Sequence, residues 1–210
     1  MAELIVAFDL PTGRDALALA ERLPDLRWAK IGSVLFVREG PALIREFANR
    51  GVRVFLDLKW HDIPSVVAGA VTSALGWGVA MASVHCLGGV TMLSAAGRAA
   101  GPDLALVGVT LLTSHSPSDV EQILGRGVPD LGVEATRLAR TAMGAGLRGV
   151  VASGEEIGML RSAIGSDPWI IVPGIRPPDS TPDDQSRTIP PADAVRLGAT
   201  HLVVGRPVTR

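Results

Sequence analysis

Eight short runs of apolar and β-branched residues recur along the chain, and the stretches between them carry helical spacing. The runs cover 4–9, 27–31, 53–57, 80–84, 104–109, 149–152, 169–172 and 200–204. Strands that are apolar throughout, rather than alternating, belong to a parallel sheet covered by helices. Apolar residues recur with helical period over 15–23, 34–49, 66–76 and 133–145. Gly51, Gly78 and Gly198 stand where three of the helices should stop. Eight such units favour a closed (β/α)8 TIM barrel over an open doubly wound sheet, and no GxGxxG follows the first run to suggest a dinucleotide. A length of 210 residues fits one barrel, and no linker or charge block divides it. A single domain over 1–210 is therefore expected. Only six residues, 205–210, follow the eighth run, too few for a final helix. The barrel is expected to lack its C-terminal helix.

Composition narrows the partners. Apolar residues make up 47% of the chain, enough for a large core, yet no apolar run reaches the roughly 18 residues of a membrane span. A net charge of −1 offers no basic patch for nucleic acid. The start, Met1-Ala2-Glu3-Leu4, lacks the basic region of a signal peptide, and the single Cys86 excludes an intramolecular disulfide; both suit a cytoplasmic protein. The four histidines show no metal-ligand spacing, and His85 and Cys86 read as packing residues at a strand end.

In barrels the active site forms at the C-terminal ends of the strands. Here those positions hold Asp9, Lys30, Asp57, Lys59, Asp62, His85, residues 110–114, Ser153, Gly174, Arg176, Gly205 and Arg206. The densest segment is Phe55-Leu56-Asp57-Leu58-Lys59-Trp60-His61-Asp62-Ile63-Pro64. Alternation along a strand points Asp57 and Lys59 the same way, and Pro64 opens the next helix just after Asp62. Charges this close are costly unless paired, and pairing tunes their protonation. After strands seven and eight the chain reads Pro173-Gly174-Ile175-Arg176-Pro177 and Val204-Gly205-Arg206-Pro207. Glycine lets a backbone approach an anion closely, and arginine offers a planar fork to phosphate oxygens. The long segment 173–190, rich in Pro, Asp, Ser and Thr, holds Gln185 as its amide donor and reads as a phosphate-gripping lid.

Taken together, Ala7-Phe8-Asp9, Lys30-Ile31-Gly32, the 55–64 segment, Val109-Thr110-Leu111-Leu112-Thr113-Ser114 and the two Gly/Arg loops resemble the orotidine 5′-phosphate decarboxylase family over essentially the whole chain. The resemblance implies a decarboxylation of orotidine monophosphate to uridine monophosphate in pyrimidine biosynthesis, without metal or cofactor. It implies that Lys59 protonates C6 of the pyrimidine, that Asp57 lies beside the departing carboxylate, and that Lys30 and Lys59 alternate with Asp57 and Asp62 in one charge array. Asp62 would come from the neighbouring subunit, making the active unit a homodimer with shared sites. Asp9 and Lys30 would contact the ribose, and Thr113 and Ser153 the far side of the ligand, Ser153 reading the pyrimidine edge. Gln185, Arg176, Gly205 and Arg206 would hold the phosphate. The chain departs from the family where Ser65-Val66 replaces the usual Asn-Thr, which removes a hydroxyl and implies weaker ribose binding.

Two alternatives remain at this point. One is a magnesium-dependent decarboxylase or aldolase of phosphosugars on the same scaffold. Those relatives carry an acidic metal ligand at the end of strand two, where this chain has Lys30, and an ammonium repels Mg²⁺. The other is a barrel that binds phosphate ligands without catalysis, against which the intact Lys30, Asp57, Lys59 and Asp62 argue.

Overall fold

A computed structural model of the chain describes residues 2–176 and 187–209. Strands and helices alternate in the order β1 (Glu3–Ala7), α1 (Gly13–Glu21), β2 (Trp28–Gly32), α2 (Ser33–Asn49), β3 (Arg53–Trp60), α3 (Pro64–Leu75), β4 (Val79–His85), α4 (Gly89–Ala100), β5 (Ala105–Val109), α5 (Pro117–Leu124), α6 (Leu131–Gly144), β6 (Gly149–Val151), α7 (Ile157–Ile164), β7 (Trp169–Val172), α8 (Pro191–Leu197), β8 (His201–Val204) and a single turn, α9 (Arg206–Thr209). All eight strands pair in parallel, and Glu3 to Val6 of β1 run beside His201 to Val204 of β8 to close the barrel. The expected (β/α)8 architecture is therefore present, and among the described residues only the α9 turn follows β8. No helix among the described residues is long and apolar enough to cross a membrane.

Two apolar layers hold the barrel. Between strands and helices lies the larger core, including Phe8, Ile31, Leu35, Phe47, Leu56, Met92 and Leu138. Inside the barrel is a second cluster of Ile5, Ala7, Trp28, Phe55, Met81, Val107, Ile171 and Val203. Strand alternation explains the split: Ile5 and Ala7 face inward while Val6 faces the helices. It also explains the site, because Lys30, Asp57 and Ser83 stand two residues beyond the inward Trp28, Phe55 and Met81. One face of each strand thus supplies packing below and chemistry above.

Two elements differ from expectation. The apolar pattern over 34–49 implied one continuous helix, but Gly40 takes φ +63° and interrupts α2 ahead of Pro41. Proline lacks the N–H that the helix ladder would use and clashes with the preceding turn, so the helix restarts there. Strand three, expected to end at Asp57, continues to Trp60 through an irregular pairing with β4.

Candidate active site

The C-terminal mouth of the barrel holds a cavity of about 800 Å³. Its lining includes Asp9, Lys30, Asp57, Lys59, Thr113, Arg176, Gly205 and Arg206, so the structure brings together most of the residues singled out from the sequence.

Asp57 is the hub. Its Oδ2 lies 2.9 Å from the Lys59 ammonium and 3.7 Å from that of Lys30, while Lys30 Nζ lies 3.1 Å from Asp9 Oδ1. The result is an unbroken alternation, Asp9–Lys30–Asp57–Lys59, from β1 across β2 to β3. Lys30 and Asp57 are nearly covered, with side-chain exposures of 11% each, whereas Lys59 keeps 38% and is the array's open cationic end. Burial by itself would raise the Asp57 pKa. The two ammoniums, together with hydrogen bonds from Lys59 and Ser83, outweigh burial and hold the carboxyl below its ordinary value. Asp57 therefore stays charged beside whatever enters the cavity.

The backbone at Lys59 is unusual. Its φ of +52° is the only positive value at a non-glycine residue among those described. A left-handed backbone at a long side chain costs about 1–3 kcal/mol and persists only where its surroundings enforce it. Here the cause is a bulge. Leu56 pairs with Ala82 and Trp60 with Val84, so β3 carries two more residues than β4 across this interval. Bulges re-aim side chains and are frequent beside active sites. The reading of the sequence missed Ser83, which lies opposite this bulge and touches both Asp57 and Lys59. Its signal was present: it is the sole hydroxyl in the run Val79–His85.

Two further groups lie elsewhere. Ser153 is fully buried and is absent from the cavity lining. Its hydroxyl accepts from Glu155 N–H at 3.4 Å and its own N–H donates to Glu156 at 3.1 Å, so it caps the short turn after β6. Asp62 is exposed; it accepts from Ile63 N–H at 2.6 Å and borders a shallow hollow with His61, Leu87 and Met92 rather than its own chain's cavity. Gln185 lies outside the described residues. His85 and Cys86 are placed as packing groups. Burial, with the nearby charges of His61, His115 and Lys59, lowers the His85 pKa to about 4, and burial pushes the Cys86 thiol up to about 12.

The loop after β7, read as a structureless lid, has an organised base. Ile175 bridges to Ile189, with Arg176 N–H donating to Ile189 O at 3.1 Å and Ile189 N–H to Gly174 O at 3.2 Å. Gly174 takes φ +74°, which a side chain would resist, at the point where the chain leaves β7. Beneath it, Arg187 is buried in an ion pair with Glu156 and donates to Leu112 O at 3.0 Å. This arginine was also missed. An Arg inside a Ser/Thr/Pro-rich stretch carries no sign of being buried.

A cation poised at the end of an array of alternating charge, in a cavity also lined by two arginines on glycine-bearing loops, can stabilise developing negative charge while gripping a distant anion. Comparison with known proteins bears on which chemistry this serves. Residues 2–210 match the model of the orotidine 5′-phosphate decarboxylase / HUMPS family. A relative from Alkalilimnicola ehrlichii, named orotidine 5′-phosphate decarboxylase, is 50% identical over 213 residues, covering 100% of this chain and 90% of its own. One of the same name from Opitutus terrae is 46% identical, covering 98% and 90%. Among solved structures, an orotidine 5′-phosphate decarboxylase from Lactobacillus acidophilus aligns with a TM-score of 0.84 at 31% identity, over 100% of this chain and 92% of that one. An uncharacterised conserved protein from Geobacillus kaustophilus aligns with a TM-score of 0.86 at 29% identity, over 99% and 92%.

Proposed function

Because this chain belongs to the orotidine 5′-phosphate decarboxylase / HUMPS family, we propose that it is a carboxy-lyase of pyrimidine biosynthesis that converts orotidine 5′-monophosphate to uridine 5′-monophosphate, with Lys59 as the proton donor. The observation that carries this reading is the Asp9–Lys30–Asp57–Lys59 array in a cavity lined also by Arg176 and Arg206.

In the reaction the bond from C6 to the carboxylate breaks, carbon dioxide leaves, and the electron pair stays on C6. That carbon has little resonance relief, so the barrier falls chiefly through charge stabilisation already in place. The Lys59 ammonium stabilises charge that exists only as the bond breaks, then delivers its proton to C6. Asp57 is held charged and tethered between two lysines, beside the departing carboxylate. Lys30, fixed between Asp9 and Asp57, orients Asp57 and meets the ribose together with Asp9. Arg176, Gly205 and Arg206, with Gln185, take the phosphate at the other end, and Thr113 borders the ligand's far side. Ser153, in the turn that follows β6, reads the pyrimidine edge. Phosphate binding far from C6 organises the loop and excludes water, so remote binding energy serves the chemical step.

The protein acts as a homodimer in which Asp62 completes the partner's array. Two features support this: Asp62 stands outside its own cavity, and Val34, Val37, Ile63, Val66 and Val90, at the starts of α2, α3 and α4, are all exposed large apolar residues.

Lys30 also separates this reading from magnesium-dependent phosphosugar chemistry, since its ammonium, projecting from β2, stands between two carboxylates. The test is the ultraviolet loss of orotidine monophosphate on adding purified protein in EDTA. Turnover unaffected by the chelator is expected. No loss of orotidine monophosphate, with Mg²⁺-dependent turnover of a phosphosugar that EDTA abolishes, would replace this reading with the phosphosugar one.

A further inference from the structure

Ser83 lies in the middle of β4, fully buried among Met81, Ala82 and Val84. A buried hydroxyl in apolar surroundings is costly unless it is hydrogen-bonded. This one uses both its capacities across the sheet. It donates to Asp57 Oδ1 at 2.8 Å and accepts from the Lys59 backbone N–H at 2.9 Å. The second contact follows from the bulge. Regular pairing of β3 with β4 lapses between Leu56 and Trp60, so Lys59 N–H bonds a side-chain oxygen where a strand would offer a carbonyl.

We infer that Ser83 is a positioning residue for the proposed proton transfer, one hydroxyl holding both the left-handed turn that aims Lys59 and the orientation of Asp57. With Oδ1 tied to Ser83, Asp57 presents Oδ2 alone to both ammoniums. With its N–H tied to the same oxygen, Lys59 is held at φ +52°, a conformation it would otherwise leave. Ser83 is not in the cavity lining, and both of its hydrogen bonds go to Asp57 and Lys59, so it acts through these two neighbours. Precise placement is where such support matters, because a displacement of about 1 Å at a reacting group costs on the order of 10²-fold in rate.

The inference rests on the decarboxylase reading, and the experiment separates the two. Ser83→Ala, Ser83→Cys and Ser83→Thr are compared with wild type for kcat and KM with orotidine monophosphate, for affinity toward uridine monophosphate, and for melting midpoint. The cysteine variant nearly preserves volume while weakening donor and acceptor, and carries the test if the alanine variant does not fold. Ser83→Cys is expected to lower kcat on the order of 10²-fold while KM and product affinity hold, as for misplacement of a group acting only in the chemical step. Ser83→Thr, which keeps the hydroxyl, should retain more kcat than Ser83→Cys. A crystal structure of Ser83→Cys should show Lys59 relaxed out of positive φ. Full kcat in Ser83→Cys, parallel losses of kcat and product affinity, or equal impairment of the cysteine and threonine variants would each overturn the inference. A wild-type protein with no turnover of orotidine monophosphate would instead overturn the functional reading beneath it.

Discussion

At Lys59 the backbone and the side chain are set by different neighbours. Ser83 holds the N–H, and Asp57 holds the ammonium at 2.9 Å. Lys59→Ala is expected to remove nearly all turnover while leaving nucleotide affinity largely intact, since a placed proton donor alone is worth about 10²–10⁴ in rate and the electrostatic contribution adds to it. Steady-state kinetics with a binding titration checks this; a variant keeping a tenth of wild-type kcat would make Lys59 structural. Arg206 tests the opposite end of the cavity. Arg206→Ala should weaken phosphate-bearing ligands by about 1.5–3 kcal/mol, the worth of a charge-assisted contact, and the bare nucleoside hardly at all. Equal losses for uridine monophosphate and uridine would place Arg206 away from the phosphate.

On the scale of elements, the mouth is assembled by loops whose bases are cross-tied. The Glu156–Arg187 pair joins the turn after β6 to the loop after β7, and Arg187 reaches on to Leu112 after β5. Burial raises the Glu156 pKa, and the nearby Arg187 guanidinium opposes that rise. Removing one partner of a buried pair typically costs about 3–5 kcal/mol, because the other charge is left uncompensated. Arg187→Ala should therefore lower stability by that order at neutral pH and weaken phosphate binding through the loosened loop. Glu156 already keeps its proton to higher pH in the folded state than in the unfolded chain, and losing Arg187 extends that range upward. The penalty should then grow as pH rises above the already raised pKa of Glu156 in the intact pair, and shrink again toward acid. Urea unfolding at pH 5 and pH 8 would reveal it, and an equal loss at both would show that Glu156 bears no buried charge.

The molecule as a whole adds two expectations. At the opposite end of the barrel, His201 packs edge-on to Trp28 and against Trp169, with ring centroids 5.7 and 4.6 Å away. Burial, aided by Arg53 and opposed by Glu3, lowers its pKa to about 4, and His85 is lowered similarly. An unfolded histidine takes its proton near pH 6.5, so between pH 6.5 and about 4 the unfolded chain binds more protons than the folded one. Stability should be complete above that window and decline as pH falls through it. His201→Phe, if it folds, should flatten the decline measured by urea midpoints; an unchanged slope would assign the acid sensitivity elsewhere. The second expectation concerns assembly. Co-expressed Asp62→Ala and Lys59→Ala chains, each inactive alone, should regain activity in mixed dimers. Half the dimers are mixed and half of their sites intact, so up to roughly a quarter of sites recover. Mixed dimers, confirmed by tags, that stay inactive would show that Asp62 serves its own chain.

Eight apolar runs separated by helical periods were sufficient for the closed barrel, because parallel strands buried on both faces leave a continuous apolar signature that few architectures share. Asp9, Lys30, Asp57, Lys59, Arg176 and Arg206 were legible for a related reason: in a barrel the C-terminal strand ends converge whatever else the chain does. The interruption of α2 followed from Gly40-Pro41, punctuation that was present in the chain and outweighed by the apolar period around it. What no local pattern carried was pairing across the fold. Ser83 meets Asp57 and Lys59 from 26 and 24 residues away, and Arg187 meets Glu156 from 31 away. The extra residues of β3 become a bulge only once β4 supplies the register they break. Composition and period decide which face a residue occupies; which atom it meets there depends on register and closure, which exist only in the folded barrel.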